Sequence, residues 1–198
     1  MTRGGWNRNI QYHPLVLEAV PAGCGRALDA GCGDGRLASE LAERCSEVVG
    51  IDVHGPTLAR ARGACARPYL SFVEGDVMTH AFAGGGFDLV ASIATLHHLP
   101  LDPALARFRD LLRPGGVLAV IGLYRIRTLS DIAYAHLAMP VSWWLRLTND
   151  YEEVAAPIRD PEETLAEIGE SVQKILPGAE FTRQLLFRYS LIWRKPSA

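Results

Sequence analysis

Between Arg26 and Leu123 the chain alternates runs of consecutive apolar residues with stretches whose apolar positions recur every three or four residues. Near-continuous apolar runs are what strands buried on both faces require, and helices between them supply parallel connections. The pattern predicts strands over "RALDAG" (Arg26–Gly31), "VVGID" (Val48–Asp52), "LSFVEGD" (Leu70–Asp76), "FDLVASI" (Phe87–Ile93) and "GVLAVIGL" (Gly116–Leu123). Helices are expected near Gly35–Arg44, Gly55–Ala66 and Pro103–Leu112, the last stopped by "RPGG". After Leu123 the rhythm breaks. Residues 124–160 hold no clean strand and are too long for an ordinary connection, so they read as a helical insertion. A helix follows over "DPEETLAEIGESVQKIL", with Asp160 as its N-cap and Pro161 at its first position. The final "AEFTRQLLFRYSLIWRK" reads as two neighbouring strands joined by a tight turn or bulge near Phe187 and Arg188.

This is the outline of one α/β domain over residues 1–198, with a doubly wound, mostly parallel sheet. The length suits a single core. A net charge of −2 points away from nucleic acid and from an anionic membrane surface as main partners. The basic residues are eighteen Arg and two Lys, a compositional bias that carries no functional weight. Cys24, Cys32, Cys45 and Cys65 form no CxxC pair and have no histidine at ligand spacing, so no metal is expected and a reduced, cytoplasmic setting fits. No stretch reads as a signal sequence or a membrane span. The expected partner is a small molecule, and the expected state a monomer or homodimer.

The chemistry concentrates in "ALDAGCGDGRLASEL", where glycines at 31, 33 and 35 separate the first strand from a helix. Such a loop lets backbone approach a ligand and offers helix N–H groups to it. Asp52, at the end of the second strand, is placed to accept ribose hydroxyls, which fits either a dinucleotide or another adenosyl cofactor. Two details favour the second. The dinucleotide fingerprint needs a small residue where this chain has Arg36, and the carboxylate of Asp29 would repel a pyrophosphate but hold a cationic amino group.

Taken in order, "LDAGCGDG", "GIDVH", "EGDV", "FDLVASIATLHHL" and "LLRPGGVLAV" resemble the successive motifs of the class I S-adenosylmethionine-dependent methyltransferases, from about Ala27 to Ile121. The resemblance implies a seven-stranded Rossmann-like sheet with its last strand antiparallel, helices on both faces, and S-adenosyl-L-methionine as cofactor, leaving as S-adenosyl-L-homocysteine. Carried over by position, Asp29, Gly31, Cys32, Gly33 and Gly35 lie under the methionine part, Cys32 as a small filler of the loop. Asp52 with Val53 takes the ribose, and Asp76 with the backbone of Val77 takes the adenine. Ser92 and Tyr12 complete the expected cofactor set.

Methyl transfer is an in-line displacement, so the protein mainly aligns the acceptor and excludes water. An acceptor that must lose a proton also needs a base, and His97 and His98 follow the fourth strand on the ligand side of the sheet, with His97, the first out of the strand, favoured. Residues 1–22, with Trp6, Tyr12 and His13, are expected to cover the site. The insertion adds Tyr134, His136, Met139, Trp143 and Trp144 as an apolar lid. His13, Tyr124, Trp143 and Trp144 are the expected substrate contacts; simple packing or a dimer surface is the competing role for the tryptophans. The expected function is methylation of a small, moderately apolar metabolite. The alternative is a cofactor-binding protein that does not methylate, either an interaction module or a pericyclase- or cyclase-like enzyme.

Overall fold

The computed structural model describes residues 9–65, 67–84, 86–128, 134 and 159–197. Its centre is a seven-stranded sheet of β1 (Arg26–Ala30), β2 (Glu47–Asp52), β3 (Leu70–Glu74), β4 (Phe87–Ile93), β5 (Leu112–Leu123), β6 (Glu180–Gln184) and β7 (Arg188–Arg194), in the order β3-β2-β1-β4-β5-β7-β6. Strands β1 to β5 are mutually parallel, and β7 runs antiparallel between β5 and β6. Burial explains why the central strands are so apolar: every residue of β4 is buried, as are four of the five in β1.

A 3₁₀ turn at Ile10–Tyr12 leads into α1 (His13–Glu18), followed by α2 (Arg36–Leu41), α3 (Gly55–Ala64), α4 (Leu101–Leu111) and α5 (Leu165–Ile175). Alternation along each strand feeds two cores. On one face Leu28, Ile51, Val90 and Leu118 pack with Leu105 and Phe108 of α4 and with Ile168 and Val172 of α5. On the other, Ala27, Val48, Leu89 and Ala119 pack with Val16 of α1 and with Leu37 and Leu41 of α2.

Two local expectations change. First, "RPGG" is not a free turn: β5 begins at Leu112 opposite Phe87, and the register shifts before Leu89. Gly115 takes φ +78°, and a Cβ on Gly116 would lie 2.8 Å from the Phe87 carbonyl oxygen, so the glycines build a bulge into a paired strand. Second, the cap of α5 is Thr164 and not Asp160. Glu167 N–H donates to Thr164 Oγ1 (3.3 Å) while Thr164 N–H donates to Glu167 Oε2 (2.7 Å), a reciprocal capping box that starts the helix one turn later. The tight turn expected near Phe187 is present: β6 and β7 are joined through Leu185–Phe187, where Leu186 (φ +58°) and Phe187 (φ +62°) both adopt the left-handed region.

Of the insertion at 124–160, only residues 124–128, 134, 159 and 160 are described, and the expected helical lid, with His136, Met139, Trp143 and Trp144, lies outside the described residues, as does Trp6. Its two ends meet: Arg125 N–H donates to Glu163 O (2.7 Å), and Arg125 bridges to Thr164 in parallel. The expected covering helix over 1–22 is, in its described part, the 3₁₀ turn and the short α1. No helix among the described residues is long and apolar enough to cross a membrane.

Candidate active site

The sheet order reverses between β1 and β4, and a crevice at the carboxyl ends of such strands is where open α/β sheets take ligands. Here it is a cavity of about 590 Å³ whose wall includes Asp29, the loop from Gly31 to Asp34, Asp52, Asp76, His98 and His13.

The loop is fixed by backbone. Gly31 and Cys32 N–H groups both donate to Ile51 O (2.8 and 3.0 Å), lashing the end of β1 to β2. Gly31 sits at φ +77°, and a Cβ there would lie 2.0 Å from Thr95 Oγ1, so only glycine allows the loop after β4 to close against it. Gly35, at φ +79°, answers to packing: a Cβ would come within 2.6 Å of Phe72. It is therefore Gly35 that seats the start of α2 on β3, while Arg36 lies on the cavity wall, paired with Asp34 Oδ2 at 2.9 Å.

Asp52 braces the loop from below. Its Oδ2 accepts from Gly33 N–H (2.9 Å) and its Oδ1 from His54 N–H (2.8 Å). Each carboxylate oxygen keeps further acceptor capacity, so Asp52 can hold the loop and receive hydroxyl donors together. Asp76 works similarly at the other end of the cavity, its Oδ1 accepting from Met78 N–H (2.8 Å) in an Asx turn.

Asp29 is different. It is 2% exposed, and its Oδ2 is buried with no hydrogen-bond partner. Burial, reinforced by the nearby Asp52 charge, raises its pKa to about 8, against a lowering by the backbone hydrogen bond at Ala38. A carboxyl with one unpaired oxygen on a cavity wall is a receptor for a cation, because a positive group supplies both the missing donor and the missing charge. Burial also raises the Cys32 thiol, with the Asp29 charge adding to it, so Cys32 remains a neutral filler.

The histidines after β4 separate. Their rings lie 4.0 Å apart in a 3₁₀ turn at Leu96–His98, but His98 is on the cavity wall and His97 is not. His97 Nδ1 is buried without a partner. Burial, then the charges of His98, Arg188 and Arg159, depress the His97 pKa to about 4. Burial and Arg159 also lower His98, with Asp52 opposing them.

The remaining expected residues divide in the same way. Val53 and Val77 line the cavity. Ser92 is fully buried and donates to Ala30 O (2.9 Å), bracing β4 to β1. Tyr12 is buried and donates to Leu185 O (2.5 Å), fastening the 3₁₀ turn to the β6–β7 hairpin; Tyr124 is buried too, its hydroxyl accepting from Arg183 Nε (2.9 Å). Neither tyrosine lines the cavity, and Trp143 and Trp144 lie outside the described residues. The wall also holds Asn9, Thr95, His54 and Thr57, which the sequence reading passes over. His54 and Thr57, linked Nδ1 to Oγ1 at 2.5 Å, carry a faint signal as the start of a helix directly after Asp52.

A methyltransferase domain family matches residues 28–120. A protein of Mycobacterium tuberculosis described as an uncharacterized methyltransferase is 36% identical over 193 residues, covering 96% of this chain and 98% of the relative. The chain belongs to the class I S-adenosylmethionine-dependent methyltransferases. A trans-aconitate 2-methyltransferase of Deinococcus radiodurans is 44% identical over 129 residues, covering 58% of this chain and 48% of that one. The fold matches the N-methyltransferase NodS of Bradyrhizobium japonicum WM9 in complex with S-adenosyl-L-homocysteine, with TM-score 0.62, 16% identity and coverage of 95% and 87%.

The residues present fit S-adenosylmethionine. Asp29 suits the ammonium of the cofactor's amino-acid end, and the loop is open where a Cβ would fill it: nothing lies within 4 Å of a Cβ built on Gly33. Asp52 keeps acceptor capacity for ribose hydroxyls.

Proposed function

We propose that this methyltransferase acts on a small molecule and that acceptor and cofactor share the cavity beneath the Asn9–His13 segment. The observation that carries this reading is the cavity itself: about 590 Å³ lies within the roughly 300–1,000 Å³ of small-molecule sites, and it joins the glycine loop to the His98 wall. Relatives named as methyltransferases for trans-aconitate and for ubiquinone biosynthesis point the same way.

When bound, the cofactor would supply a methyl group activated by the positive charge on its sulfur, with S-adenosyl-L-homocysteine as the product that would be left. The chain's own part is binding and alignment. Asp29 holds the ammonium, Asp52 the ribose hydroxyls with Val53 against the sugar, and Asp76 and Val77 the adenine edge. His98, on the wall and neutral near pH 7, is placed to orient an acceptor or take its proton at an imidazole nitrogen.

Incubation with methyl-labelled cofactor and a fractionated cell extract tests the reading. Label is expected in the small-molecule fraction, with matching release of S-adenosyl-L-homocysteine. Label confined to protein or nucleic acid would overturn it.

A further inference from the structure

The roof of the cavity contains a buried histidine that the scheme above leaves without a role. His13 is 6% exposed, lies on the cavity wall, and its Nδ1 is 3.0 Å from Glu40 Oε2 on α2. His13 and Asp29 line the same cavity, one from the N-terminal segment and one from β1, and Glu40 of α2 stands beside His13. With Nδ1 held by Glu40, Nε2 is the nitrogen left for a ligand; when protonated, the ring donates at both.

The amino-acid end of S-adenosylmethionine is a zwitterion whose ammonium and carboxylate hang from one carbon. Whatever receives the carboxylate must therefore stand beside whatever receives the ammonium. Given the Asp29–ammonium reading above, on which this inference rests, we infer that His13, oriented by Glu40, is the receptor for the cofactor's carboxylate. The amino-acid end is then read by two receptors, one on the sheet and one on the covering segment. Arg36 and Arg60 are the competing guanidinium groups on this wall; Arg36 is engaged with Asp34 (2.9 Å) at the start of α2, and Arg60 comes from α3.

Calorimetric binding to the intact protein tests the assignment with three probes: S-adenosyl-L-homocysteine, its decarboxylated analogue that keeps the amine, and 5′-methylthioadenosine, which lacks the whole amino-acid end. His13→Ala is expected to weaken S-adenosyl-L-homocysteine about tenfold, the scale of one charge-assisted hydrogen bond, while leaving both other probes within about twofold. Glu40→Gln shifts the same probe in the same direction by a smaller factor. His13→Gln and a thermal melt separate a folding defect from a binding one. On the wild type, removing the carboxylate from the probe costs what removing His13 costs. The inference is overturned if all three probes lose affinity equally, since His13 then only seats the covering segment. It is overturned equally if Arg36→Gln or Arg60→Gln, and not His13→Ala, produces the selective loss, or if His13→Ala changes nothing. A wild type that binds neither S-adenosyl-L-homocysteine nor 5′-methylthioadenosine would remove the cofactor reading along with it.

Discussion

A carboxyl group that is neutral in the free protein and charged in the complex leaves a mark on stability. Asp29 has a folded pKa of about 8, above its unfolded value near 3.9, so between those limits the folded chain keeps a proton that the unfolded chain has released. Stability of the cofactor-free protein should therefore fall as pH rises from about 4 to about 8, then level off. At about 1.4 kcal/mol per pKa unit the fall is on the order of a few kcal/mol. Asp29→Asn should flatten this slope in denaturant melts at pH 5 and 8.5 while weakening S-adenosyl-L-homocysteine at least tenfold by calorimetry; a slope that persists in the variant would assign it to another group. Asp52→Ala should weaken the same ligand about ten- to a hundredfold, and it should also lower the melting temperature because the Gly33 and His54 N–H groups lose their acceptor. Asp52→Asn, which keeps one oxygen acceptor, should fall between. At the strand-four histidines, His98→Ala should cost turnover on the order of a hundredfold with cofactor affinity retained, and His97→Ala less. No ionisation of His97 should appear in the pH–rate profile above about pH 5. Equal effects of the two substitutions would remove His98 from the acceptor side.

Among elements, the α5 cap offers the cleanest test. Thr164→Ala should destabilise the fold by about 1 kcal/mol through loss of the capping box, leaving cofactor affinity unchanged, since α5 packs on the face of the sheet behind the site. The same helix shows where reading a chain succeeds and where it stops. Asp160-Pro161 is a respectable start signal, and "DPEE" has the same cap-to-Glu spacing as "TLAE"; what spacing does not show is that Glu163 O accepts from Arg125 N–H and that Arg125 bridges to Thr164, so the helix starts only after that pairing. The parallel strands were legible because burial on both faces forces unbroken apolar runs, as in β4, and Asp29 was legible because a carboxylate inside such a run is costly without a purpose. The bulge in β5 was not: proline and glycine signal a break, and only the neighbouring Phe87 shows that the backbone stays paired. Nor could spacing reveal that Gly31 admits Thr95, or that His13 meets Glu40, because both depend on elements brought together by the sheet.

At the scale of the molecule, the insertion rises from a closed base. Because Arg125 is already joined to Glu163 and Thr164, replacing residues 130–148 by a short Gly/Ser linker should leave a folded core that binds S-adenosyl-L-homocysteine with near-normal affinity but has lost turnover. Circular dichroism and calorimetry on that variant separate the outcomes: unfolding would make the segment part of the core, and full activity would rule out a role over the acceptor.

The segment that roofs the cavity is fastened from the far end of the chain: Tyr12 donates to Leu185 O across 173 positions, and Arg188 donates to Asn9 Oδ1 (2.6 Å) across 179. Non-local pairings of this kind are the slowest to form, and a chain emerging vectorially has residues 9–13 in hand long before residues 185–188 exist. During synthesis the glycine loop, β1 and β2 can assemble early, yet the roof has nothing to latch onto until the last hairpin is made. The covering segment can therefore be fastened over the cavity only after residues 185–188 have been made, so completion of the site waits on a hairpin 173 and 179 positions downstream of its partners.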